Sequence, residues 1–295
     1  MENLINKIKQ QISVLKETFK NPQAVVVFNK WLEVELTYTS NNIEGNTLTR
    51  KETELVIDQG ITTGGKPLKD YLEAKNHAEA FRYILEVLSK KDEISLDDIL
   101  KIHSIILNSF AEGYRNVPVR ISGGSVILPN PMKVPDLMAE FEKYLKEEKD
   151  VIKCAIMAHF KFVSIHPFVD GNGRVGRLIM NLILLQNGLW PIIIRPRDRK
   201  KYINSIEKGQ LTQDLTAYLE FMYKAFERSL DTYIEIFHPK TEETKLLKIG
   251  EFAKAVGVPI STVRYWLRVG KIAPVSKTSG DFMLFSREQA FQLKK

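Results

Sequence analysis

The amino-acid sequence predicts a mainly α-helical protein: a helical core carrying one β-hairpin, followed by a small winged helix-turn-helix domain. Three observations predict it. Apolar residues recur at helical spacing in a series of stretches between residues 4 and 237. Clusters of Pro and Gly separate those stretches. The charge balance also changes near residue 240. The 295-residue chain has a formal net charge of +7, and the segment from Lys240 onward holds 11 Lys and Arg against 5 Asp and Glu, so the preceding chain is almost neutral.

The elements follow in order. Leu4 to Phe19 and Phe28 to Tyr38 are divided by Asn21-Pro22, and Lys51 to Gly60 and Leu68 to Leu88 by Gly64-Gly65-Lys66-Pro67. Leu96 to Ser109 is the next helix. Within GYRNVPVRISGGSVILPNP, two β-type runs, Val117 to Ser122 and Ser125 to Leu128, meet at Gly123 and Gly124, which is a hairpin signal. Pro129 to Pro131 breaks the chain before the helices Val134 to Lys146, Ile152 to Ser164 and Leu178 to Asn187. Past Gly188 to Pro196 come Tyr202 to Glu207 and Leu215 to Phe237. HPKTEETK, residues 238–245, is polar and Pro-bearing and reads as a linker. Beyond it, Ile249 to Val256 is a short amphipathic helix ended by Gly257, and a second helix, capped by Ser261, ends at Gly270. Val263, Trp266 and Leu267 on that second helix are expected to form the small domain's core. The expected division is therefore 1–95, 96–237, a linker at 238–245, and 246–295.

Composition sets bounds. With 44% hydrophobic residues the chain can bury a sizeable core, and no stretch approaches the ~18 uncharged apolar residues that a membrane span needs. A single cysteine, Cys154, excludes an internal disulfide and suits a reducing compartment, so a cytoplasmic protein is expected. No Cys and His spacing supports a zinc site, and His77, His103, His159 and His238 are expected to be structural or surface residues.

The densest chemistry is HPFVDGNGRVGR, His166 to Arg177. Glycine at 171 and 173 allows the amides of Gly171, Asn172 and Gly173 to converge on one anion. The apolar run after them opens a helix whose N-terminal amides and dipole add to that anion site. Arg174 and Arg177, three apart, share a helix face and present forked donors suited to phosphate oxygens. Asp170 beside a phosphate makes sense chiefly as a ligand of a hard cation such as Mg2+, and His166 is the one group there able to take a proton near neutral pH. Together these residues read as a metal-nucleotide site with a general base.

HPFVDGNGRVGR resembles, residue for residue, the signature HPFx(D/E)GNGRxxR of the Fic family. The resemblance implies an AMP transferase moving adenylate from ATP, with Mg2+, onto a protein Ser, Thr or Tyr hydroxyl. It implies His166 as the base, Asp170 as the Mg2+ ligand, and Asn172 with the Gly171 and Gly173 amides as the phosphate anchor. Arg174 would then bind the inner phosphates and Arg177 the γ-phosphate. The GNG loop, unlike that of the kinase-like Doc branch, favours nucleotidyl over phosphoryl transfer. Upstream, Ser40 to Gly45 resembles the family's inhibitory-helix motif (S/T)xxxE(G/N), which implies that Glu44 pairs with Arg177 in place of the γ-phosphate. The 117–128 hairpin resembles the family's target-docking flap, with Ile121, Ser122, Val126 and Ile127 as its docking residues, and Tyr202 resembles a residue facing the adenine. TVRYWLRVGKI, with a wing-like Lys277 to Phe285, resembles the DNA-binding module of the MerR family. By that resemblance Ser261, Thr262, Arg264, Tyr265, Lys277 and Arg287 are the candidate DNA contacts. Expected partners are ATP, a protein target, the chain itself as a target, DNA through the C-terminal module and a second copy of the chain. Two alternatives stay open on the sequence: a Fic-fold protein that removes AMP or transfers another phosphate-bearing group, and a transcription regulator that senses nucleotide.

Overall fold

A computed structural model describes residues 1–16, 22–62, 64–90, 94–108, 113–121, 123–237, 246–277 and 282–293. Ser122, His238 and the 238–245 linker lie outside them. The chain divides into two compact units, Met1–Tyr233 and Ile234–Lys295.

The first unit is helical, as its periodicity predicts. Its helices are α1 (Glu2–Leu15), α2 (Pro22–Ile43), α3 (Arg50–Gln59), α4 (Leu68–Lys90), α5 (Leu96–Leu107), α6 (Val134–Glu147), α7 (Val151–Ile165), α8 (Asn172–Gln186), α9 (Arg199–Thr212) and α10 (Thr216–Phe237), whose last four residues belong to the second unit. Their ends carry local signals. Thr49 with Glu52, and Ser95 with Asp98, form capping boxes on α3 and α5, and Asp150 caps α7 through the Lys153 amide.

Helix α8 is the axis of this unit. It is buried on nearly every side, with Val175, Leu178, Ile179, Met180, Leu182 and Leu184 almost fully enclosed and Arg174, Arg177 and Asn181 buried among them. Helix α7 packs most extensively against it, and α2, α4 and α5 also pack against α8. Gly176 sets the closeness of α7: a Cβ there would stand 3.2 Å from Val163 Cγ1 and 3.3 Å from Phe162 Cδ1. Helix α2 runs beyond the predicted Phe28 to Tyr38 because Asn41 and Asn42, polar on paper, find backbone acceptors at Glu73 and Asn46. An aromatic cluster anchors it, in which Phe28 meets Trp190 at 4.7 Å and Tyr233 at 5.2 Å, both edge-on.

The expected hairpin is only partly realised. The chain does turn at Gly123, where the Gly124 amide donates to the Ile121 carbonyl at 3.1 Å. Among the described residues, however, neither 117–121 nor 125–128 forms a strand. Two causes are visible: Pro118 has no N–H to offer a ladder, and carbonyls at Val117 and Pro129 are taken by the Arg115 guanidinium instead.

The second unit holds β1 (Leu247–Lys248), α11 (Ile249–Val256), α12 (Ile260–Arg268), β2 (Ser276–Lys277), β3 (Met283–Phe285) and α13 (Arg287–Gln292). Its antiparallel sheet has the order β1-β3-β2, with Leu247 opposite Phe285 and Lys277 opposite Met283. The β2-β3 pair is the predicted wing. Helix α12 starts two residues earlier than expected, with Pro259 and not Ser261 at its N-cap, since the fixed φ of proline already directs the chain into the helix. Phe252 stacks on Phe285 at 4.6 Å, Val263 is buried with them, and Trp266 and Leu267 pack partly buried against this core. Replacing the fully buried Phe252 by alanine is expected to cost the second unit about 3–5 kcal/mol. Urea unfolding followed by Trp266 fluorescence checks this, and an unchanged midpoint would contradict the packing.

Candidate active site

The loop between α7 and α8 is shaped by its own side chains. His166 closes α7 in the left-handed region, φ 53°, with its amide bonded to the Phe162 carbonyl at 2.9 Å. Phe168 then turns inward and stacks on His103, ring centroids 3.6 Å apart. Asn172 brackets Phe168: its Oδ1 accepts the Phe168 amide and its Nδ2 donates to the Phe168 carbonyl, both at 2.9 Å. Both ends of the Asn172 side chain are thus committed to the loop. What Asn172 can offer is its amide. Gly171, φ 83°, brings no capping side chain to α8, so the first amides of that helix have no partner within it and face outward as an anion site.

An anion already stands there. A Cβ on Gly173 would overlap Glu44 Oε1, so the Glu44 carboxylate lies directly against the first turn of α8. Arg177 holds it, with Nη2 donating to Glu44 Oε1 at 2.7 Å and to the Ser40 carbonyl at 2.9 Å, and Nε donating to Ser40 Oγ at 3.0 Å. The guanidinium is buried and the carboxylate is partly open to solvent. Thus Ser40, Glu44, Gly173 and Arg177, distant in sequence, meet at one point.

Arg174 is also buried, set between Glu73 Oε1 at 3.4 Å and Asp170 Oδ2 at 3.6 Å. Its Nε has no hydrogen-bond partner among the described residues. Glu73, which the sequence does not single out, also accepts from Asn46 Nδ2 at 3.0 Å, while Asp70 takes the Thr47 amide and hydroxyl. The loop that follows Glu44 is thereby tied to α4. Asp170 is mostly exposed; one oxygen accepts the Gly171 amide at 2.6 Å. No group of three or more His, Cys, Asp or Glu suited to a metal occurs among the described residues. A lone open carboxylate fits a hard cation whose other ligands are phosphate oxygens and water.

A cavity of about 200 Å³ connects these groups, bounded by Glu44, His166, Gly173, Arg177, Tyr202 and Val126. His166 Nδ1 lies 3.4 Å from the Val163 carbonyl, which favours the tautomer that leaves Nε2 as acceptor. Burial pushes the imidazole below its ordinary pKa and Arg115 adds to this, against the Val163 carbonyl, Glu44 and Asp170. The Tyr202 hydroxyl bonds His159 Nε2 at 2.7 Å, and His159 Nδ1 reaches the Tyr218 hydroxyl at 2.8 Å. Burial brings His159 and His77 down to about 3, so both are neutral structural residues as expected. His103 is structural too, but it acts on the site: its Nε2 lies 3.0 Å from the Asp170 carbonyl.

Of the flap residues, Ile121 and Val126 line the cavity, Ile127 is almost fully exposed, and Ser122 is outside the described residues. Two ties were not legible in the sequence. Glu207 accepts the Ser125 amide at 2.8 Å, and Arg115 donates to the carbonyls of His166, Val117 and Pro129. A single Arg beside a Pro-bearing run carries no such signal.

On the second unit, Ser261, Arg264 and Tyr265 are exposed and Thr262 is half-buried. Arg268, not anticipated, continues their stripe at i, i+3, i+4 and i+7 on the face opposite Val263. Arg287 is exposed at the start of α13, and Lys277 lies on β2 with its side chain outside what is described.

Comparison with known proteins adds identity to this geometry. Residues 93–184 match the Fic/DOC family and residues 248–282 match the MerR family regulatory protein model. The chain is 34% identical over 231 residues to a protein named protein adenylyltransferase Fic from Culex quinquefasciatus, covering 75% of this chain and 45% of that one. It is 34% identical over 203 residues to the Drosophila melanogaster protein of the same name, covering 67% and 41%. The chain thus spans about half the length of these curated relatives. A Fic domain containing signaling protein from Bacteroides thetaiotaomicron superposes with a TM-score of 0.70 at 26% identity, over 78% of this chain and 96% of that one. Fic-1 from C. elegans gives 0.69 at 29%, over 80% and 73%.

Asn172→Ala removes both brackets on Phe168 and leaves a buried amide and carbonyl unpaired, for an expected loss of about 2–4 kcal/mol. Urea unfolding of the full chain checks it; a loss well under 1 kcal/mol would mean that the loop holds without Asn172.

Proposed function

This chain carries a Fic/DOC-family domain, and from that premise we propose that it is an adenylyltransferase transferring AMP from ATP to a hydroxyl side chain of a protein, held inactive by its own Glu44. The observation that carries the reading is the Glu44 carboxylate lodged at the uncapped start of α8 and clasped by Arg177. The chain fills with a carboxylate the position its amides and guanidinium are built to give a phosphate. The names of the similar proteins support the activity.

In the proposed reaction, ATP displaces Glu44 and its phosphate oxygens take the amides at the start of α8. Arg177 turns from carboxylate to γ-phosphate, and Arg174, with its unpartnered Nε, takes the inner phosphates. Asp170 would hold Mg2+, which when bound supplies positive charge beside the phosphate oxygens. Tyr202, on the cavity wall, sits toward the adenine end. The target hydroxyl gives its proton to His166 Nε2 as its oxygen bonds to the α-phosphorus. The bond from that phosphorus to the bridging oxygen breaks, and pyrophosphate leaves with the electron pair. Positioning and charge neutralisation do most of the work. A second reading shares the site: Glu44 borders the same cavity as His166, close enough to orient water for hydrolytic removal of AMP from a modified protein.

We further propose that the MerR-like unit docks on DNA through the α12 stripe of Ser261, Arg264, Tyr265 and Arg268, helped by Thr262, Arg287 and Lys277 on the wing. The stripe is exposed, and the chain's positive charge is concentrated in this unit.

Glu44→Gly should raise incorporation of adenylate about tenfold or more, as expected for releasing a coupling of a few kcal/mol, and His166→Ala in that background should abolish it. Intact mass after incubation with ATP and Mg2+ reads both. Incorporation that survives His166→Ala removes the base assignment, and ATP binding with no mass gain moves the balance to a nucleotide sensor. The reactive form of His166 is neutral and its pKa is lowered, so the rate should fall only below an acidic midpoint under the ordinary value near 6.5. Removing Glu44, which raises that pKa, moves the midpoint lower still. For the second unit, binding to a duplex DNA fragment should weaken steeply with salt, and a flat titration at low salt would reject the DNA reading.

A further inference from the structure

Arg115 is buried, yet among the described residues no carboxylate pairs with it. A guanidinium taken out of water without a counter-ion is costly unless its donors are satisfied. Here they are satisfied by backbone alone. Nε donates to the His166 carbonyl at 2.8 Å, Nη1 to the Val117 carbonyl at 3.2 Å and Nη2 to the Pro129 carbonyl at 2.6 Å, while the Arg115 amide donates to the Pro167 carbonyl at 2.8 Å. Val117 and Pro129 are the two feet of the flap, and His166 sits at the strained left-handed junction that aims its ring into the cavity. One rigid fork therefore joins both feet of the flap to the backbone of the base. Neither α8 nor its amides take part.

We propose that Arg115 is a positioning residue that sets the register between the flap and His166, and so aligns a protein hydroxyl docked on the flap with the base, without contributing to nucleotide binding. This rests on the transferase reading above. A target segment laid along the flap has its position fixed by the two feet, and its distance to the imidazole is fixed only if the feet and the His166 backbone move as one body. Misplacement by about 1 Å can cost about 100-fold in rate. Lysine cannot replace the fork, since it presents one point charge and no planar spread of donors. Glu207, holding the Ser125 amide at the tip, leaves the feet to Arg115.

The test uses the full chain in the Glu44→Gly background, with Arg115→Lys as the fold-conserving change and Arg115→Met as the severe one. Adenylate incorporated by intact mass is compared with pyrophosphate released, since attack by water needs no flap. In both variants the ratio of incorporation to release should fall about tenfold or more, with MgATP affinity by calorimetry unchanged. With Glu44 removed, the charged groups acting on His166 are Arg115 and Asp170, beside burial and the Val163 carbonyl, so Arg115→Met should also move the acid midpoint of release upward while Arg115→Lys leaves it in place. Independently of any transfer, hydrogen exchange at the amides of residues 123–128 should quicken in Arg115→Lys. An unchanged ratio with unchanged exchange overturns the proposal, as does a loss of MgATP affinity in step with incorporation. Should the parent Glu44→Gly protein neither incorporate adenylate nor release pyrophosphate, the transferase reading fails, while the exchange result still decides whether Arg115 holds the flap.

Discussion

The structure is organised around one buried cation. Arg177 rides on α8, the helix enclosed on nearly every side, and its guanidinium has almost no access to solvent. A charge in that position must be paired, and breaking such a pair typically costs about 3–5 kcal/mol. The partners come from α2: the hydroxyl and carbonyl of Ser40, then the carboxylate of Glu44 just past the helix end. Much of the first unit serves to put them there. The Phe28, Trp190 and Tyr233 cluster fixes the approach of α2, Arg199 donates to the Ile43 carbonyl at its terminus, and Asp70 with Glu73 pins the chain immediately after Glu44.

The same economy governs the loop before α8. Its amides can receive an anion only if nothing else caps them, so Gly171 offers no side chain and Asn172 turns back onto Phe168. Phe168 in turn lies on His103, which reaches the Asp170 carbonyl. Rigidity is supplied from below by stacking and bracketing, and the upper surface is left polar and open. That division lets Asp170, with Val169 beside it, remain mostly exposed in a loop that otherwise has little freedom.

Most of the helical architecture was legible in the sequence because amphipathic periodicity and capping residues are local. The meeting of Ser40, Glu44 and Arg177 was legible only through the resemblance of two motifs, since nothing in the spacing of residues 40 and 177 says that they touch. The bracing role of the Asn172 side chain was not legible, because an amide side chain in a glycine turn serves equally well as ligand or brace, and only its hydrogen bonds to Phe168 distinguish the two. The flap was read as a hairpin because two β-type runs meeting at Gly123 and Gly124 were visible and the ties of Arg115 were not. Its three acceptors are backbone carbonyls, which leave no trace in side-chain pattern. Glu73 escaped for a related reason, lying on α4 among residues whose helical spacing fully accounts for them.

On the proposed reading, the exchange of Glu44 for a phosphate leaves Arg177 paired in both states. The desolvation of the guanidinium is then common to the inhibited and the ATP-bound forms and cancels between them, so the switch is decided by smaller differences: the ties of Asn46 and Thr47 to α4 on one side, and the amides of α8 and the bound cation on the other. A carboxylate presents one pair of oxygens to the helix start, whereas a triphosphate spans from Arg174 to Arg177. Inhibition therefore depends less on the strength of the ion pair, which both occupants satisfy, than on how firmly the loop after Glu44 is held. The residues best placed to tune it are those that anchor that loop, not those that touch the nucleotide.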